Sequence, residues 1–86
     1  MNMHNYMEDL VAERTDSYMQ ETTACKCDKC RMDIMAQALN NLKPLYYVTH
    51  QGELFTKLNE FRLQFKVDVD VAVLRAAELI AENPKH

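Results

Sequence analysis

The scarcity of helix-breaking residues constrains this chain more than any other feature. Its 86 residues contain one glycine, Gly52, and two prolines, Pro44 and Pro84. These are the residue types that the interior of an α-helix tolerates least, and long stretches between them repeat apolar residues at helical spacing. A chain of this length has room for one hydrophobic core. The sequence therefore predicts a mostly α-helical, small single domain over residues 1–86, with about four helices.

Two of these helices precede Pro44. The first is predicted from Asn5 to about Gln20, and the second from Asp28, as its N-cap, to about Leu42. The residues that recur at helical spacing, and so mark the inward faces, are Tyr6, Leu10, Val11, Arg14 and Tyr18, then Met32, Met35, Ala36, Leu39 and Leu42.

The segment that follows Pro44 has the least helical character. Residues 45–50 include β-branched and aromatic side chains, which favour a short extended segment, and residues 50–52 predict a turn. A third helix follows the turn, and Asp68 or Asp70 is predicted to cap a fourth. The inward positions of these two helices are Leu54, Leu58, Phe61, Phe65, Val69, Val73, Ala76, Ala77 and Ile80.

Charge and hydropathy exclude several classes of protein. The net charge of −3 argues against binding DNA through its phosphates. No run of 18 apolar residues is present to span a membrane, and the first ten residues lack the basic and apolar parts of a secretion signal. We therefore expect a cytoplasmic protein with no direct DNA binding and no membrane insertion.

All three cysteines, Cys25, Cys27 and Cys30, fall within six residues. The spacing C-x-C-x-x-C can wrap three sulfurs around one ion, as a tetrahedral zinc site requires. Cys30 falls in the first turn of the predicted second helix, where exposed N–H groups favour the thiolate form that binds metal. The sequence therefore predicts zinc as a cofactor, held by these three cysteines.

The cysteine cluster leaves its fourth ligand open. A water, a second chain or one of several side chains could complete the site; the candidates are His50, which is favoured because it lies on a loop, His4, His86, Asp28 and Asp33. Two other interpretations compete with zinc. One is a Cys27–Cys30 redox pair, although the strand–helix alternation that usually accompanies such a pair is absent. The other is a group of inert, buried thiols.

Positive charge is concentrated around the cysteines. Lys26, Lys29 and Arg31 lie in this stretch, and Lys43 follows at the other end of the second helix. Beside the N–H groups of a helix start, such charges can bind a phosphate. The alternative interpretation is that they offset the negative charge of a thiolate-rich metal centre or are solvated.

One face of the second helix carries polar residues in place of the usual Lys and Glu. Asp33, Gln37, Asn40 and Asn41 share this face. They form either a polar binding surface or, in the case of the two asparagines, a C-cap that ends the helix before Pro44.

Four stretches together resemble the late competence development protein ComFB family. They are NYMEDLV at 5–11, CKCDKCRMDIMAQALNNL at 25–42, YVTHQGELF at 47–55 and AENPKH at 81–86. The resemblance implies a small, mainly helical, cytoplasmic bacterial homodimer without enzymatic activity, whose cysteine cluster is associated with zinc. Cyanobacterial relatives act as receptors for cyclic dinucleotides, chiefly cyclic di-GMP, and influence competence, motility or cell size through partner proteins.

The resemblance also assigns residues, with one departure. Where the family often reads L-P-P-[KR]-Y, this chain reads LKPLY at 42–46, so that Lys43 replaces a proline and Leu45 a basic residue. We expect Lys43 to bind a phosphate from a different direction. The positions that match the family are Cys25, Cys27, Cys30, Arg31, Asp33, Asn40 and Tyr47.

The residues and the resemblance together predict a non-catalytic signalling protein, a zinc-stabilised homodimer that binds cyclic di-GMP or a related cyclic dinucleotide and acts on an unidentified effector protein. Arg31 and Lys43 would bind phosphate, Asp33 a guanine edge, Asn40 a donor or acceptor, and Tyr47 a base by stacking. The alternative is a zinc-containing structural adaptor in competence or motility with no nucleotide ligand.

Overall fold

The computed structural model describes residues 3–22, 26–48 and 55–82, and the side chains of the last range from Glu60 onward. The predicted turn at 50–52 lies outside these ranges. The elements in chain order are β1 (Met3–Asn5), α1 (Tyr6–Glu21), α2 (Asp28–Asn40), β2 (Tyr46–Val48) and α3 (Phe55–Glu82). The prediction of a mostly helical small domain is confirmed.

Asn5 begins α1 and also fixes the segment before β2. Its side-chain oxygen accepts hydrogen bonds from the backbone N–H of Met7 at 3.2 Å, as an N-cap does, and from that of Leu45 at 2.9 Å. The backbone N–H of Tyr6 donates to the carbonyl of Leu45 at 2.6 Å. One side chain therefore joins the first helix to the connection between α2 and β2.

The short extended segment expected near 45–50 is confirmed at β2. It pairs antiparallel with β1 in a two-stranded sheet, with Met3 opposite Val48, His4 opposite Tyr47 and Asn5 opposite Tyr46. Sequence reasoning did not predict β1, because three residues are too few to show a strand period.

The prediction of separate third and fourth helices is wrong. α3 runs without interruption for 28 residues, roughly 42 Å. Neither Asp68 nor Asp70 caps a helix there, because both lie in its interior, and Asp70 instead accepts an ion pair from Arg14 of α1 at 2.9 Å. Without glycine or proline between residues 55 and 82, nothing in the local sequence ends the helix.

The hydrophobic core lies where α1, α2 and α3 meet. The inward face predicted for the second half of α3 is confirmed, and its alanines allow the helices to approach closely. On α2 the predicted face is partly wrong, because Met32 is 57% exposed and Ala36 is exposed, whereas Cys30, Ile34 and Ala38 are buried. Spacing of four places these last three in one row against the core. The buried core residues are Tyr6, Met7, Leu10, Val11, Thr15, Met19, Cys30, Ile34, Ala38, Val69, Ala72, Val73, Ala76 and Ala77.

Among the described helices, none combines the length and the apolar character needed to cross a lipid bilayer.

Candidate metal and ligand sites

Cys27 and Cys30 form the first turn of α2. Cys27 is the N-cap, and its Sγ accepts a hydrogen bond from the backbone N–H of Cys30 at 3.4 Å. The prediction of Asp28 as N-cap is therefore wrong by one residue: Asp28 is the first helical residue, and a sulfur takes the capping position. The carbonyl of Cys27 also accepts from the N–H of Arg31 at 3.0 Å, which closes the turn.

The two thiols are held against the protein interior. Cys30 is 3% exposed, and Cys27 is partly buried and packs against the same core cluster. This C-x-x-C turn suits two ligands of a zinc ion, since the helix start orients N–H groups toward the sulfurs. Within residues 3–22, 26–48 and 55–82 no three His, Cys, Asp or Glu side chains come together as a metal site. Cys25, His50 and His86 lie outside the described residues.

The remaining candidate metal ligands have other contacts or positions. His4, on β1, packs at a tilt on the ring of Tyr47, with ring centroids 5.5 Å apart. Asp28 is exposed. Asp33 accepts an ion pair from Lys29, with Nζ 2.6 and 2.7 Å from its two carboxylate oxygens. The structure therefore favours no fourth ligand among these three.

Arg31 joins α2 to α1. Its Nε lies 2.6 Å from Oδ1 of Asp16 and its second guanidinium nitrogen 3.2 Å from Oδ2, a two-pronged ion pair. The hydrogen bonding raises the pKa of Arg31 above its ordinary value and lowers the pKa of Asp16 below its own. Arg31 is thus engaged by this chain itself.

Arg31 and Asp33 do not share a binding surface. Residues two apart on an α-helix point about 200° apart, and here Arg31 faces Asp16 of α1 while Asp33 is bound along α2 by Lys29. A single small ligand that contacted both side chains would have to reach around the helix.

The far end of α2 has a different character. Asn41 is the C-cap, and its side-chain amide donates to the carbonyl of Gln37 at 3.0 Å, so the C-cap interpretation is confirmed for this residue. Asn40 and Lys43 are exposed beside it. Their side chains make no ion pair or hydrogen bond within the described part of the chain.

Tyr47 lies on β2, half buried. Its ring meets that of Tyr6 edge to face at 5.9 Å. Burial raises the pKa of the Tyr47 hydroxyl above its ordinary value, and the neighbouring charge of Asp9 raises it further. The ring is therefore neutral at physiological pH and fixed in place by the domain.

A groove of about 770 Å³ runs between the end of α2 and the middle of α3. Met7 and Ala72, both nearly buried, contribute to its floor. We call it the α2–α3 groove. Its remaining lining consists of Gln37, Asn41, Leu42, Lys43, Phe65, Asp68, Val71, Arg75 and Leu79.

Among the groove residues, the sequence predicted Lys43 as a ligand contact and placed Gln37 and Asn41 on a polar face of α2, but it assigned no ligand contact on α3. A signal for the others was available: Phe65, Asp68, Ala72, Arg75 and Leu79 recur at spacings of three and four, which places them on one face of α3. The mistaken helix break at Asp68 divided this face in two and concealed it.

A second side of α3, which adjoins the α2–α3 groove at Val71, carries an exposed apolar row that we call the α3 stripe. It consists of Leu63 (79% exposed), Val67 (70%), Val71 (41%) and Leu74 (41%). Spacings of four, four and three keep the row on one side of the helix, facing away from the buried row that includes Val69, Ala72 and Ala76. Exposed apolar rows of this kind mark contact surfaces more often than solvated ones.

Comparison with known proteins agrees with the fold. The profile of the family described as late competence development protein ComFB matches residues 4–84. Competence protein ComFB of Bacillus subtilis strain 168 is 28% identical over 81 residues, which cover 93% of this chain and 83% of that protein. The solved structure of the late competence protein ComFB from Bacillus subtilis superposes with a TM-score of 0.78 at 27% identity, covering 98% of this chain and 93% of the other. The chain belongs to the ComFB family.

Proposed function

We propose that this ComFB family member is a non-catalytic regulatory protein: a zinc-stabilised homodimer that binds a cyclic dinucleotide, chiefly cyclic di-GMP, and acts on an effector protein in competence or motility. Membership of a competence family supports the process. The metal, the dimer and the nucleotide each have separate structural support.

The observation that carries the nucleotide is the α2–α3 groove. Its volume of about 770 Å³ falls within the usual range for small-molecule sites. The groove combines a cationic residue, Lys43, with the amides of Gln37 and Asn41 and the aromatic ring of Phe65. Phosphates, base edges and base faces are the groups that such side chains bind.

Of the five expected ligand residues, Lys43 lines this groove. Asn40 is next in sequence to the lining residue Asn41, and Tyr47 lies on β2 against the rings of His4 and Tyr6. Arg31 and Asp33 lie elsewhere on α2 and are ion-paired to Asp16 and Lys29.

The metal proposal rests on the turn at Cys27 and Cys30. With Cys25 as third ligand, zinc would cross-link the segment before α2 to the first turn of that helix. Because a small domain gains a large share of its stability from such a cross-link, the ion would set the direction in which α2 leaves the loop.

The dimer proposal rests on the α3 stripe. Two copies that buried their stripes against each other would remove four large apolar side chains per chain from water. A two-fold contact of this type requires no second kind of surface. Light scattering coupled to gel filtration should give twice the chain mass of 10.1 kDa, and Val67→Asp should give the monomer, whereas Lys66→Asp beside the stripe should not.

The experiment that tests the function is calorimetric titration of the metal-replete protein with cyclic di-GMP. We expect saturable heat at micromolar ligand, with GMP as the control for a single nucleotide. Absence of heat at micromolar ligand would contradict the nucleotide part of the proposal.

A second candidate is a zinc-containing structural adaptor without a nucleotide. The α3 stripe favours it, because the same apolar row would serve to dock an effector protein in place of a second copy. A protein that binds zinc and an effector but gives no heat with any cyclic dinucleotide would select this candidate.

A further inference from the structure

We infer that Arg75 and Lys43 bind the phosphates of the ligand in the α2–α3 groove and that Asp68 recognises its base, so that Arg31 and Asp33 serve the fold. The inference rests on the proposed function and adds to it the residues that bind. Neither the motifs nor the family resemblance assigned Arg75 or Asp68 to a ligand.

The positively charged side chains differ in whether this chain already pairs them. Among the described side chains, four cationic ones are already ion-paired within the chain, with partners 2.5 to 2.9 Å away: Arg14, Lys29, Arg31 and Arg62. Lys43 and Arg75 make no ion pair among the residues that the structure describes, and both line the same groove. Their charges are therefore available to an anion. No existing ion pair has to be broken first, and such a break would lower the affinity for the anion.

The charged groove residues of α3 lie at separate positions along the helix. Asp68, Ala72 and Arg75 follow one another at spacings of four and three on one face of α3, so that Asp68 and Arg75 stand roughly 10 Å apart along the helix axis. The small side chain of Ala72 lies between them and leaves the groove open. Across the groove, Gln37 and Asn41 are one turn apart on α2. The two ends of the groove on α3 thus carry opposite charges.

The two ends of the groove bind different chemical groups. A guanidinium forms two parallel hydrogen bonds to a phosphate, and an ammonium adds a point charge. A carboxylate only accepts hydrogen bonds. The Watson–Crick edge of guanine presents two adjacent N–H donors to it, whereas adenine presents one donor beside an acceptor nitrogen, which would face the carboxylate unsatisfied.

The end of α2 favours the same base. The backbone carbonyls at the end of a helix carry partial negative charge, and here those of Gln37, Ala38 and Leu39 already accept hydrogen bonds from Asn41 and Leu42. Their partial charge attracts the N–H donors of a guanine edge, while the phosphates lie toward Lys43 and Arg75. The groove therefore selects a guanine nucleotide by its donors and holds it by its charge.

The test compares cyclic di-GMP and cyclic di-AMP by calorimetry on dimeric, metal-replete protein. Arg75→Gln and Lys43→Gln should each weaken cyclic di-GMP binding about tenfold or more, in line with the loss of a charge-assisted hydrogen bond. Asp68→Asn should weaken cyclic di-GMP by a similar factor and raise the relative affinity for cyclic di-AMP. Circular dichroism melting checks that each variant is folded.

Two variants serve as matched controls. Lys66→Gln removes an exposed cation from the same helix outside the groove and should leave affinity unchanged. Arg31→Gln removes the α1–α2 ion pair and should lower thermal stability with affinity kept within about threefold, since the bound phosphates lie elsewhere.

The outcomes separate this inference from the proposed function. Wild-type affinity in both Arg75→Gln and Lys43→Gln, or loss of binding in Arg31→Gln alone, would overturn the groove assignment and leave the nucleotide function standing. Absence of binding by the wild type to either dinucleotide would overturn both.

Discussion

The two ends of α2 differ in how their polar groups are used, although the helix is 13 residues, roughly 20 Å, long. At its start, Cys27 caps the helix, Arg31 is bound by Asp16 and Asp33 by Lys29. At its end, Lys43 is exposed beside a groove. Charges already satisfied within a chain stabilise it, whereas exposed charges around a concave surface can bind something else.

We therefore assign different roles to the two ends of this helix. The start, with its sulfurs and its ion pair to α1, is the structural end under our proposal, and the end beside α3 is the ligand end. The predictions below test this assignment of roles in decreasing order of expected effect.

Removal of zinc should have the largest effect, and on stability. Treatment with a chelator should lower the melting temperature by about 10–20 °C, because losing about 3 kcal/mol shifts the midpoint of a domain of this size by that much. The measurement is thermal circular dichroism with elemental analysis. Cys30→Ala is the control: it should melt low from the outset and respond no further to chelator.

If the two ends of α2 have these separate roles, the metal-free protein, kept well below its melting temperature, should still bind cyclic di-GMP. If the purified protein contains no metal and a chelator does not change its melting temperature, zinc does not stabilise this end of the helix.

Helices α1 and α2 were predictable because the signals that mark them are local. A capping residue, an apolar row and a proline act within a few residues of themselves. Asp68 and Asp70 show where such signals mislead: each resembles a cap, but the packing of α3 against α1 and the ion pair from Arg14 keep the helix continuous. That contact joins residues 56 positions apart, which local pattern does not report.

The two candidate sites differ in the same respect: one follows from local spacing and the other from long-range packing. The turn at Cys27 and Cys30 follows from spacing alone, because three residues of helix fix the relation of the two sulfurs. The α2–α3 groove depends on which faces of two distant helices meet, and Arg75 and Lys43 are 32 positions apart. Their proximity became visible only in the folded chain.

Asn5→Ala should have the second largest effect on stability, and it should also weaken ligand binding at the end of α2. The change removes the N-cap of α1 and the acceptor for the N–H of Leu45, which together should cost about 1–2 kcal/mol in free energy of unfolding. Because Leu45 is two residues from Lys43, we also expect weaker cyclic di-GMP binding. Urea unfolding and calorimetry measure the two effects.

The matched control for this variant is Asn5→Asp, whose carboxylate can still cap the helix and accept from Leu45. It should recover most of the stability and most of the affinity. If Asn5→Ala loses stability but binds as the wild type does, the segment around Lys43 is held by other contacts.

Asp16→Asn should have the smallest effect, confined to the structural end. The ion pair with Arg31 is partly exposed, with Asp16 52% accessible, so its removal should cost at most about 1 kcal/mol and leave ligand affinity unchanged. The pKa of Asp16 is lower in the folded protein than in the unfolded chain. The ion pair therefore stabilises fully above the unfolded pKa of about 4, and the contribution is lost as pH falls through the folded pKa.

The difference in unfolding free energy between wild type and Asp16→Asn should accordingly be constant from pH 7 to about pH 5 and shrink below about pH 4. Urea unfolding at a series of pH values measures it, and Glu8→Gln, an exposed acid on the same helix, provides a control without this ion pair. A difference that grew on acidification would mean that Asp16 destabilises the fold when ionised. The ion pair with Asp16 would then not stabilise the start of α2, and Arg31 would be available to a ligand.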